Sequence, residues 1–358
     1  MTLSTVAPIL AALALTAAPP PRSAGIIETM LAPATAENRR NSEGDVVVLK
    51  DGTLLAAWSD FYGGANDDSA GRISGSKSTD GGRTWTPRFT LQENTGKQNV
   101  MSASFLRSRQ GEILLFFLQK DSNAELYTML RRSADEGKTW SPPLRVVNDP
   151  GYYIMNNARA ARLASGRIVL PMSYVGKVWT KEPFRTVAYY SDDDGLTWKR
   201  GRGEVSCPER GAMEPGLMEL KDRRLLQIIR TQLGMIWAAY SSDGGDTWTA
   251  AAPWTMAAPE SPSTLHRLPK GELLLVYNPN VKLGTGHSGP RTPLVAAVSK
   301  DEGRTWSAPK TIEGDPASAY AYTSITPYRD RLLLTYYVEK DKLLSLKFKS
   351  IPLAWFLQ

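Results

Sequence analysis

An eight-residue phrase with the pattern Ser-x-Asp-x-Gly-x-Thr-Trp occurs five times in this chain of 358 residues. Its aspartates are Asp80, Asp135, Asp193, Asp243 and Asp301, which places successive copies 55, 58, 50 and 58 residues apart. Self-similarity at a spacing of this size is typical of a supersecondary unit that is repeated around an axis or along a stack. The repeat therefore restricts the possible folds more than any other feature of the sequence.

Six hairpin patterns alternate with these phrases. In each, short runs of apolar and β-branched residues flank a tight turn that contains Gly or Asp, and the turns centre near residues 52, 111, 166, 223, 271 and 330. A sheet of four strands fits into each unit but cannot bury its own faces, whereas six such sheets packed around an axis can. Since no stretch keeps a helical period, the sequence predicts an all-β, six-bladed β-propeller of four-stranded antiparallel blades over residues 26–358.

The repeated phrase has the chemistry of a turn. Asp hydrogen-bonds to nearby backbone amides and Gly accepts a positive φ, while Thr and Trp are expected to resume a strand, with the Trp as an apolar anchor. We interpret the phrase as a hairpin corner that each blade needs, in preference to five separate ligand sites.

Composition places the chain among globular proteins. Hydrophobic residues make up 42% and charged residues 22%, and the net charge of +7 is spread without a basic run, so no nucleic-acid partner is expected. Residues 1–25 contain an apolar stretch of signal-peptide length, although no Lys or Arg precedes it, and they predict a secreted or periplasmic protein. No later segment is apolar enough to span a membrane. The single cysteine, Cys207, excludes an internal disulfide, and no Cys/His cluster suggests a metal or other cofactor.

The five phrases resemble the Asp-boxes of the bacterial-neuraminidase-repeat superfamily, whose best-known members are sialidases with six-bladed propellers. The resemblance covers nearly the whole chain after residue 26. It implies an exo-α-sialidase-like retaining glycoside hydrolase that releases a terminal sialic acid, or a related acidic sugar, from glycoconjugates. Asp-boxes also occur in propellers without this activity, so the function depends on other residues.

Two later segments carry candidate site residues. The segment "EPGLMELKDRRLLQIIRT" resembles the part of sialidases in which a Glu opens one strand and an Arg closes the next, which implies Glu214 and Arg230. Arg230 lies within an apolar strand, where a charge needs a partner or a ligand. In "PRTPLVAAVSKDEGRTW", Arg291 matches the Arg that precedes the last Asp-box. His287, in the Gly-rich loop before it, is a candidate substrate contact or a solvated loop residue, and His266 is interpreted as structural.

The last blade supplies the candidate nucleophile. In "YAYTSITPYRDRLLLTYY", Tyr322 matches the sialidase tyrosine that is followed by small residues and a hairpin. Tyr320, Tyr336 and Tyr337 lie close enough in sequence to remain alternatives.

The N-terminal blade departs from the family pattern. Sialidases carry an Arg-Ile-Pro triplet before the first hairpin, and its Arg helps to bind the substrate carboxylate, whereas this chain has "NRRNSEGDVVVLKDGT". Arg40 falls about two residues early and is the first candidate for that role, with Arg39 second. Glu43 lies near the place of the triplet and is a further candidate for substrate binding. Such a change indicates that the sugar could differ from sialic acid.

The loop "FYGGANDDSAGRISGSKSTDGG" resembles the sialidase loop that carries the acid/base Asp. Asp68 is assigned to that role and Asp67 to substrate binding, with the reverse left open. Two adjacent carboxylates raise each other's pKa when they are crowded, which would suit an acid.

The resemblance implies a mechanism for these residues. Three arginines, Arg40, Arg230 and Arg291, form a clamp for a sugar carboxylate. Tyr322, assisted by Glu214, attacks the anomeric carbon, because a neutral nucleophile avoids repulsion by that carboxylate. Asp68 protonates the leaving oxygen and then activates water.

Two other functions compete with this one. The altered N-terminal segment favours a hydrolase or lyase that acts on another acidic sugar, such as a uronic acid. A non-catalytic glycan-binding propeller is the second alternative, and in it Tyr322 and Glu214 would lie out of hydrogen-bond reach. In all three cases the partners expected are sialylated or other acidic glycans.

Overall fold

A computed structural model describes residues 25–358 of the chain. In this part of the chain nearly all regular structure is β, and the exceptions are the C-terminal helix α1 (Leu353–Leu357) and a short 3-10 segment, Gly286–Ser288. No helix within residues 25–358 is long and apolar enough to cross a membrane. The predicted export signal lies outside the described residues, apart from its last residue.

The strands form six blades in chain order. The N-terminal strand is β1 (Ile27–Ala32). Blade 1 contains β2 (Arg40–Val48), β3 (Leu54–Phe61), β4 (Arg72–Ser78) and β5 (Phe89–Gln92). Blade 2 contains β6 (Asn99–Arg107), β7 (Ile113–Ser122), β8 (Glu125–Ser133) and β9 (Leu144–Arg145). Blade 3 contains β10 (Gly151–Ile154), β11 (Ala161–Arg162), β12 (Ile168–Val175), β13 (Arg185–Ser191), β14 (Lys199–Arg200) and β15 (Val205–Ser206). Blade 4 contains β16 (Met213–Glu219), β17 (Leu225–Arg230), β18 (Met235–Ser241) and β19 (Ala252–Ala257). Blade 5 contains β20 (Thr264–Arg267), β21 (Leu273–Tyr277), β22 (Leu294–Ser299) and β23 (Lys310–Glu313). Blade 6 contains β24 (Ala319–Tyr328), β25 (Arg331–Lys340) and β26 (Leu343–Pro352).

Some neighbouring blades share a sheet, which the sequence did not predict. Blade 6 and blade 1 join through a short parallel pairing of β26 with β2, at Leu344 and Arg40. Blades 2 and 3 join through β10, which runs parallel to β8 and antiparallel to β12. Blades 4 and 5 are the separate four-stranded sheets of the described chain. Because β1 pairs with β26, the first described strand completes the last blade.

The repeated phrase folds as a closed hydrogen-bonded turn. In the second copy, Ser133 Oγ donates to Asp135 Oδ1 at 2.9 Å and accepts from the Gly137 amide at 2.8 Å, and both the amide and the hydroxyl of Thr139 donate to Asp135. The same set of bonds recurs in the other four copies. The expectation that Thr and Trp resume a strand is wrong, because β9 begins only at Leu144. The Thr hydroxyl bonds to the Asp side chain and so holds this segment within the turn.

The tryptophans of these turns fasten neighbouring blades together. Trp85 of blade 1 packs edge-on against Phe348 of blade 6, with ring centroids 5.1 Å apart. Gly82, with a φ of 91°, allows this approach, since a Cβ there would lie 2.1 Å from the Phe348 ring. Equivalent tryptophan contacts join blade 3 to blade 2 and blade 5 to blade 4, through Trp198 on Phe116 and Trp306 on Trp254.

An arginine–carboxylate contact reinforces three of the junctions between blades. At the junction of blades 4 and 5, Arg267 donates to Glu302 at 2.8 Å and to the carbonyl oxygens of Gly271 and Glu219 at 2.8 and 2.9 Å. Glu302, which follows the Asp of the phrase, also accepts from the Lys221 amide of the preceding blade. Two other junctions use the pairs Arg107–Glu136 and Arg162–Asp194. The phrase is therefore bonded to its own blade and to the blade before it.

Four inner strands contain the same β-bulge. The register of β2, β6, β16 and β24 shifts by one residue against its neighbour. The first bulged residue has a positive φ in each case, and these residues are Glu43 (53°), Ser102 (60°), Glu214 (41°) and Tyr322 (59°). A left-handed backbone is unfavourable for residues other than glycine, and bulges re-aim side chains. The bulges lie at the same end of the inner strands, and they change the direction of these four side chains there.

Candidate active site

A cavity of about 530 Å³ opens at this end of the inner strands. Six of the eight candidate site residues predicted from the sequence line it, although they come from four different blades. They are Arg40, Asp67, Glu214, Arg230, Arg291 and Tyr322. The other two, Glu43 and Asp68, lie outside the lining.

Tyr322 and Glu214 form a hydrogen-bonded pair at the centre of this site. The Tyr322 hydroxyl donates to Glu214 Oε1 at 2.9 Å. Burial, together with the charge of Glu214, raises the pKa of Tyr322 well above its usual value. Burial acts in the same direction on Glu214, but Arg230, Arg291 and the hydrogen bond from Tyr322 together outweigh it and lower the pKa of that carboxyl. The site thus holds a neutral phenol against an ionised carboxylate, as a nucleophile and its base require.

The three other tyrosines that were alternatives to Tyr322 make different contacts. Tyr337 accepts a hydrogen bond of 2.8 Å from Arg291 Nη1. Tyr336 is fully buried and donates to Glu313 at 2.6 Å, away from the cavity. Tyr320 is buried beside it, with ring centroids 6.4 Å apart. The structure therefore brings Tyr322, of these four, to Glu214.

Two arginines of the predicted clamp are held by one acidic residue. Arg230 donates to Glu214 Oε2, and its Nη2 lies 3.7 Å from Glu260 Oε1. Arg291 Nη2 donates to the backbone carbonyl of Glu260 at 3.2 Å. Burial would raise the pKa of Glu260, but a hydrogen bond with His287 and the charges of Arg230 and Arg210 lower it to about 2. Glu260 thus supports Arg230 through its carboxylate and Arg291 through its backbone carbonyl. No sequence pattern singled it out, because its segment belongs to neither repeat.

Arg40 is the third arginine, and protein groups already occupy its guanidinium. It donates to Asp67 Oδ1 at 2.6 Å, to Ser42 Oγ at 3.0 Å and to Glu43 Oε1 at 3.3 Å. The guanidinium carbon also lies 4.3 Å from the centre of the Phe61 ring. A substrate carboxylate that binds Arg40 in the plane of its fork must therefore displace one of these acceptors.

The alternative candidate, Arg39, is exposed and lies outside the cavity lining. The bulge at Glu43 adds one residue to β2 between Arg40 and the first hairpin turn. Glu43 is 5% exposed and accepts from Ser59 Oγ at 2.9 Å. Burial raises its pKa, with Arg40 acting in the opposite direction. Glu43 contacts Arg40 from behind the cavity wall, so it supports the arginine.

The two aspartates of the first loop differ in position. Asp67 lines the cavity with a side chain that is 57% exposed, whereas Asp68 is exposed outside the lining. The backbone carbonyl of Asp67 accepts from Asn99 Nδ2 at 2.8 Å and from Lys120 Nζ at 3.2 Å. Crowding was expected to raise the pKa of these carboxyls, but for Asp67 this is wrong. Desolvation acts to raise its pKa, but Arg40, Lys120 and Arg230 together outweigh it, so the pKa of Asp67 is lowered.

The remaining wall of the cavity is apolar, with charged groups at its edge. Its apolar side chains are Tyr152, Ile154, Val175, Val178, Phe184 and Met213. His287 also lines the cavity, and its Nδ1 lies 3.4 Å from Glu260 Oε2. His266 lies at the other end of the inner strands, where burial lowers its pKa to about 4. The cavity can therefore hold a compact anion at the arginines and an apolar substituent beside it.

Comparison with known proteins places this geometry in context. A family described as "BNR repeat-like domain" matches residues 52–334. A sialidase of Bacteroides fragilis (strain YCH46) is 25% identical over 322 residues, covering 78% of this chain and 56% of that protein. A sialidase of Paraclostridium sordellii is 28% identical over 308 residues, covering 78% and 68%. The chain spans between 51% and 68% of the length of the four curated sialidases that it matches.

Solved structures share the fold. Trypanosoma rangeli sialidase in complex with 2,3-difluorosialic acid superposes with a TM-score of 0.71 at 17% identity, covering 91% of this chain and 59% of that one. A protein of unknown function from Dyadobacter fermentans DSM 18053 has a TM-score of 0.71 at 20% identity, covering 91% and 98%. These likenesses confirm the predicted propeller fold.

Proposed function

Since this chain belongs to the family with the BNR repeat-like domain, within the sialidase superfamily, we propose that it is an exo-α-sialidase-like retaining glycoside hydrolase. The observation that carries the proposal is the 2.9 Å hydrogen bond from Tyr322 to Glu214, placed among three arginines. The curated relatives named as sialidases support the substrate class. The pattern of residues 1–25 supports a secreted or periplasmic location.

Substrate binding begins with the sugar carboxylate. Arg230 and Arg291 present guanidinium groups that Glu260 holds in place, and Arg40 lines the same cavity. Guanidinium groups bind carboxylates through paired hydrogen bonds and stay charged at all working pH values. The apolar wall is suited to the acyl substituent of a sialic acid.

The first chemical step forms a bond between Tyr322 and the anomeric carbon. Glu214 accepts the phenolic proton while the tyrosine oxygen attacks, and the bond from the anomeric carbon to the leaving oxygen breaks. A protonated aspartate gives its proton to that oxygen. In the second step the same aspartate takes a proton from water, which attacks the anomeric carbon. Tyr322 then leaves and recovers its proton from Glu214, so the configuration is retained.

We assign the acid/base role to Asp67 and keep Asp68 as the alternative, because Asp67 lines the cavity. In the free protein Asp67 is bound to Arg40, which keeps its carboxyl ionised. A substrate carboxylate competes for the same guanidinium. Once Asp67 loses Arg40 and gains an anion as neighbour, its pKa rises and it can hold the proton that the leaving oxygen needs.

The two alternatives make different demands on the site. A glycan-binding protein needs the arginines but has no use for a tyrosine hydrogen-bonded to an ionised carboxylate, so the Tyr322–Glu214 pair favours an enzyme. An enzyme for another acidic sugar would use the same clamp, and the unusual support of Arg40 by Glu43 favours it.

The proposal is tested with a fluorogenic α-sialoside and the purified protein, beside Tyr322→Phe and Tyr320→Phe. Hydrolysis that is lost in Tyr322→Phe and kept in Tyr320→Phe supports both substrate class and nucleophile. Hydrolysis that survives in both variants rejects Tyr322 as the nucleophile. If the unmodified protein hydrolyses no α-sialoside but does cleave a uronide, the alternative substrate class replaces this one.

A further inference from the structure

A buried arginine lies beneath the Tyr322–Glu214 pair and takes no part in the mechanism above. Arg159 is 5% exposed and precedes β11 at the inner edge of blade 3. Its side chain reaches blade 5, where Nη2 donates to the Ser263 carbonyl at 2.9 Å and Nη1 to Thr264 Oγ1 at 3.2 Å. Its Nε finds no hydrogen-bond partner among residues 25–358, and no carboxylate of that range lies within 4.0 Å of the guanidinium.

A buried charge without an ion-pair partner is costly, so its presence needs a compensating interaction. Burial lowers the pKa of Arg159 to about 10, and the ionised carboxylate of Glu214 opposes this most. Arg107, Arg162 and Arg267 differ from Arg159, because each of them is paired with a carboxylate at a blade junction. The charge of Arg159 is thus opposite in sign to that of Glu214, the proposed base of the catalytic pair.

Hydrogen bonds also connect this segment to the bulge that carries the nucleophile. Thr264 Oγ1, which accepts from Arg159, donates to the Thr323 carbonyl at 2.7 Å. Two residues before Arg159, Asn157 Nδ2 donates to the Tyr322 carbonyl at 2.9 Å. The carbonyl of the positive-φ residue Tyr322 and that of Thr323 are therefore both hydrogen-bonded, the second to a hydroxyl that Arg159 holds.

We infer that Arg159 is a positioning residue for Tyr322. It holds the bulge through Thr264 and places a fixed positive charge beneath the phenol, where negative charge develops as the proton moves to Glu214. Preorganised charge of this kind stabilises a transition state without touching the substrate. The inference rests on the proposed function, since it assigns Arg159 to the nucleophile of that mechanism.

The test compares Arg159→Met, Arg159→Lys and Arg267→Met. For Arg159→Met we expect kcat to fall by about tenfold to a hundredfold, with KM within about threefold because Arg159 does not line the substrate cavity. Arg159→Lys keeps the charge and should recover part of kcat. Arg267→Met removes a similar charge from a blade junction and should lower the melting temperature without lowering kcat.

Two further measurements separate positioning from a loss of stability. Tyr322 is the leaving group when the glycosyl-enzyme is hydrolysed, so Arg159→Met should slow the reactivation of protein trapped with 2,3-difluorosialic acid by a factor similar to the fall in kcat. A crystal structure of Arg159→Met should show the Tyr322 hydroxyl displaced from Glu214.

An Arg159→Met protein with unchanged kcat, or with Tyr322 still 2.9 Å from Glu214, would overturn the inference. So would an equal loss of kcat in Arg267→Met. If the unmodified protein hydrolyses no α-sialoside, the proposed function fails, and the crystal structure still decides whether Arg159 positions Tyr322.

Discussion

The hydroxyl of Tyr322 donates a 2.9 Å hydrogen bond to Glu214, a residue 108 positions earlier in the chain. Each of the two residues is the first member of the bulge in the inner strand of its blade, and each has a positive φ. The same bulge position holds Glu43 in blade 1 and Ser102 in blade 2. The propeller thus repeats one strained backbone feature and fills it with different side chains, two of which form the proposed nucleophile and base.

Glu214→Gln should lower kcat by about 10²–10⁴-fold, because the phenolic proton of Tyr322 then has no base to accept it. Steady-state hydrolysis of an α-sialoside at its pH optimum measures the change. Glu313→Gln is the matched control, since Glu313 also accepts a tyrosine hydroxyl, at 2.6 Å, but outside the cavity. Equal losses in the two variants would show that the effect comes from stability.

Asp67→Asn should bind a non-hydrolysed sialic acid analogue several-fold more tightly than the unmodified protein, because Arg40 is no longer engaged by a carboxylate. Its kcat should fall by about 10²–10⁴-fold with the loss of the acid. In the unmodified protein, binding of the analogue near neutral pH should take up a proton, since the lowered pKa of Asp67 rises when Arg40 is withdrawn. Calorimetry in two buffers of different ionisation enthalpy measures that proton.

Asp68→Asn should change neither the affinity nor the proton uptake, because Asp68 is exposed outside the cavity lining. The reverse result, with the proton and kcat lost in Asp68→Asn, would move the acid/base role to Asp68.

Arg267→Met should lower the free energy of unfolding by about 1–3 kcal/mol, because hydrogen bonds to a charged group are lost at the junction of blades 4 and 5. The groups left without their donor are Glu302 and the Glu219 carbonyl. Urea unfolding and α-sialoside hydrolysis measure stability and activity on the same sample. A fall in kcat at unchanged stability would contradict the structural role of this arginine.

Asp45 should make stability fall as the pH rises from about 4 to about 7. Burial raises its pKa to about 7, even though the backbone amides of Phe105 and Val46 donate to it at 2.7 and 2.8 Å. In that range the folded state binds a proton that the unfolded state has released. Each rise of one pH unit therefore lowers the free energy of unfolding by up to about 1.4 kcal/mol. Asp45→Asn should remove this dependence in urea unfolding at pH 5 and pH 8. An unchanged difference between the two pH values would contradict the assignment.

The sequence predicts those parts of the molecule that depend on local contacts. The turn around Asp135 could be predicted because its hydrogen bonds join residues no more than four positions apart. Tyr322 and Arg230 were proposed by resemblance because their segments resemble the family pattern, and both line the cavity. Strand β10 was missed because Gly151–Ile154 carries no hairpin signal, and it joins two blades.

The supports of the site could not be predicted, because their partners are distant in the sequence. Arg159 bonds to Thr264, 105 residues later, and it lies just before the third hairpin pattern, outside the repeated motif. The choice between Asp67 and Asp68 depends on Asn99 and Lys120, which hold the Asp67 carbonyl from the next blade.

Trapping of the covalent intermediate tests the central claim most directly. The fluorine at C3 of 2,3-difluorosialic acid slows hydrolysis of a glycosyl-enzyme, so the sugar stays on the nucleophile long enough for digestion and mass spectrometry. The proposed mechanism predicts the added mass on the peptide that contains Tyr322, and none in Tyr322→Phe. A protein that hydrolyses α-sialosides yet carries the sugar on another residue, such as Glu214 or Asp67, would contradict it.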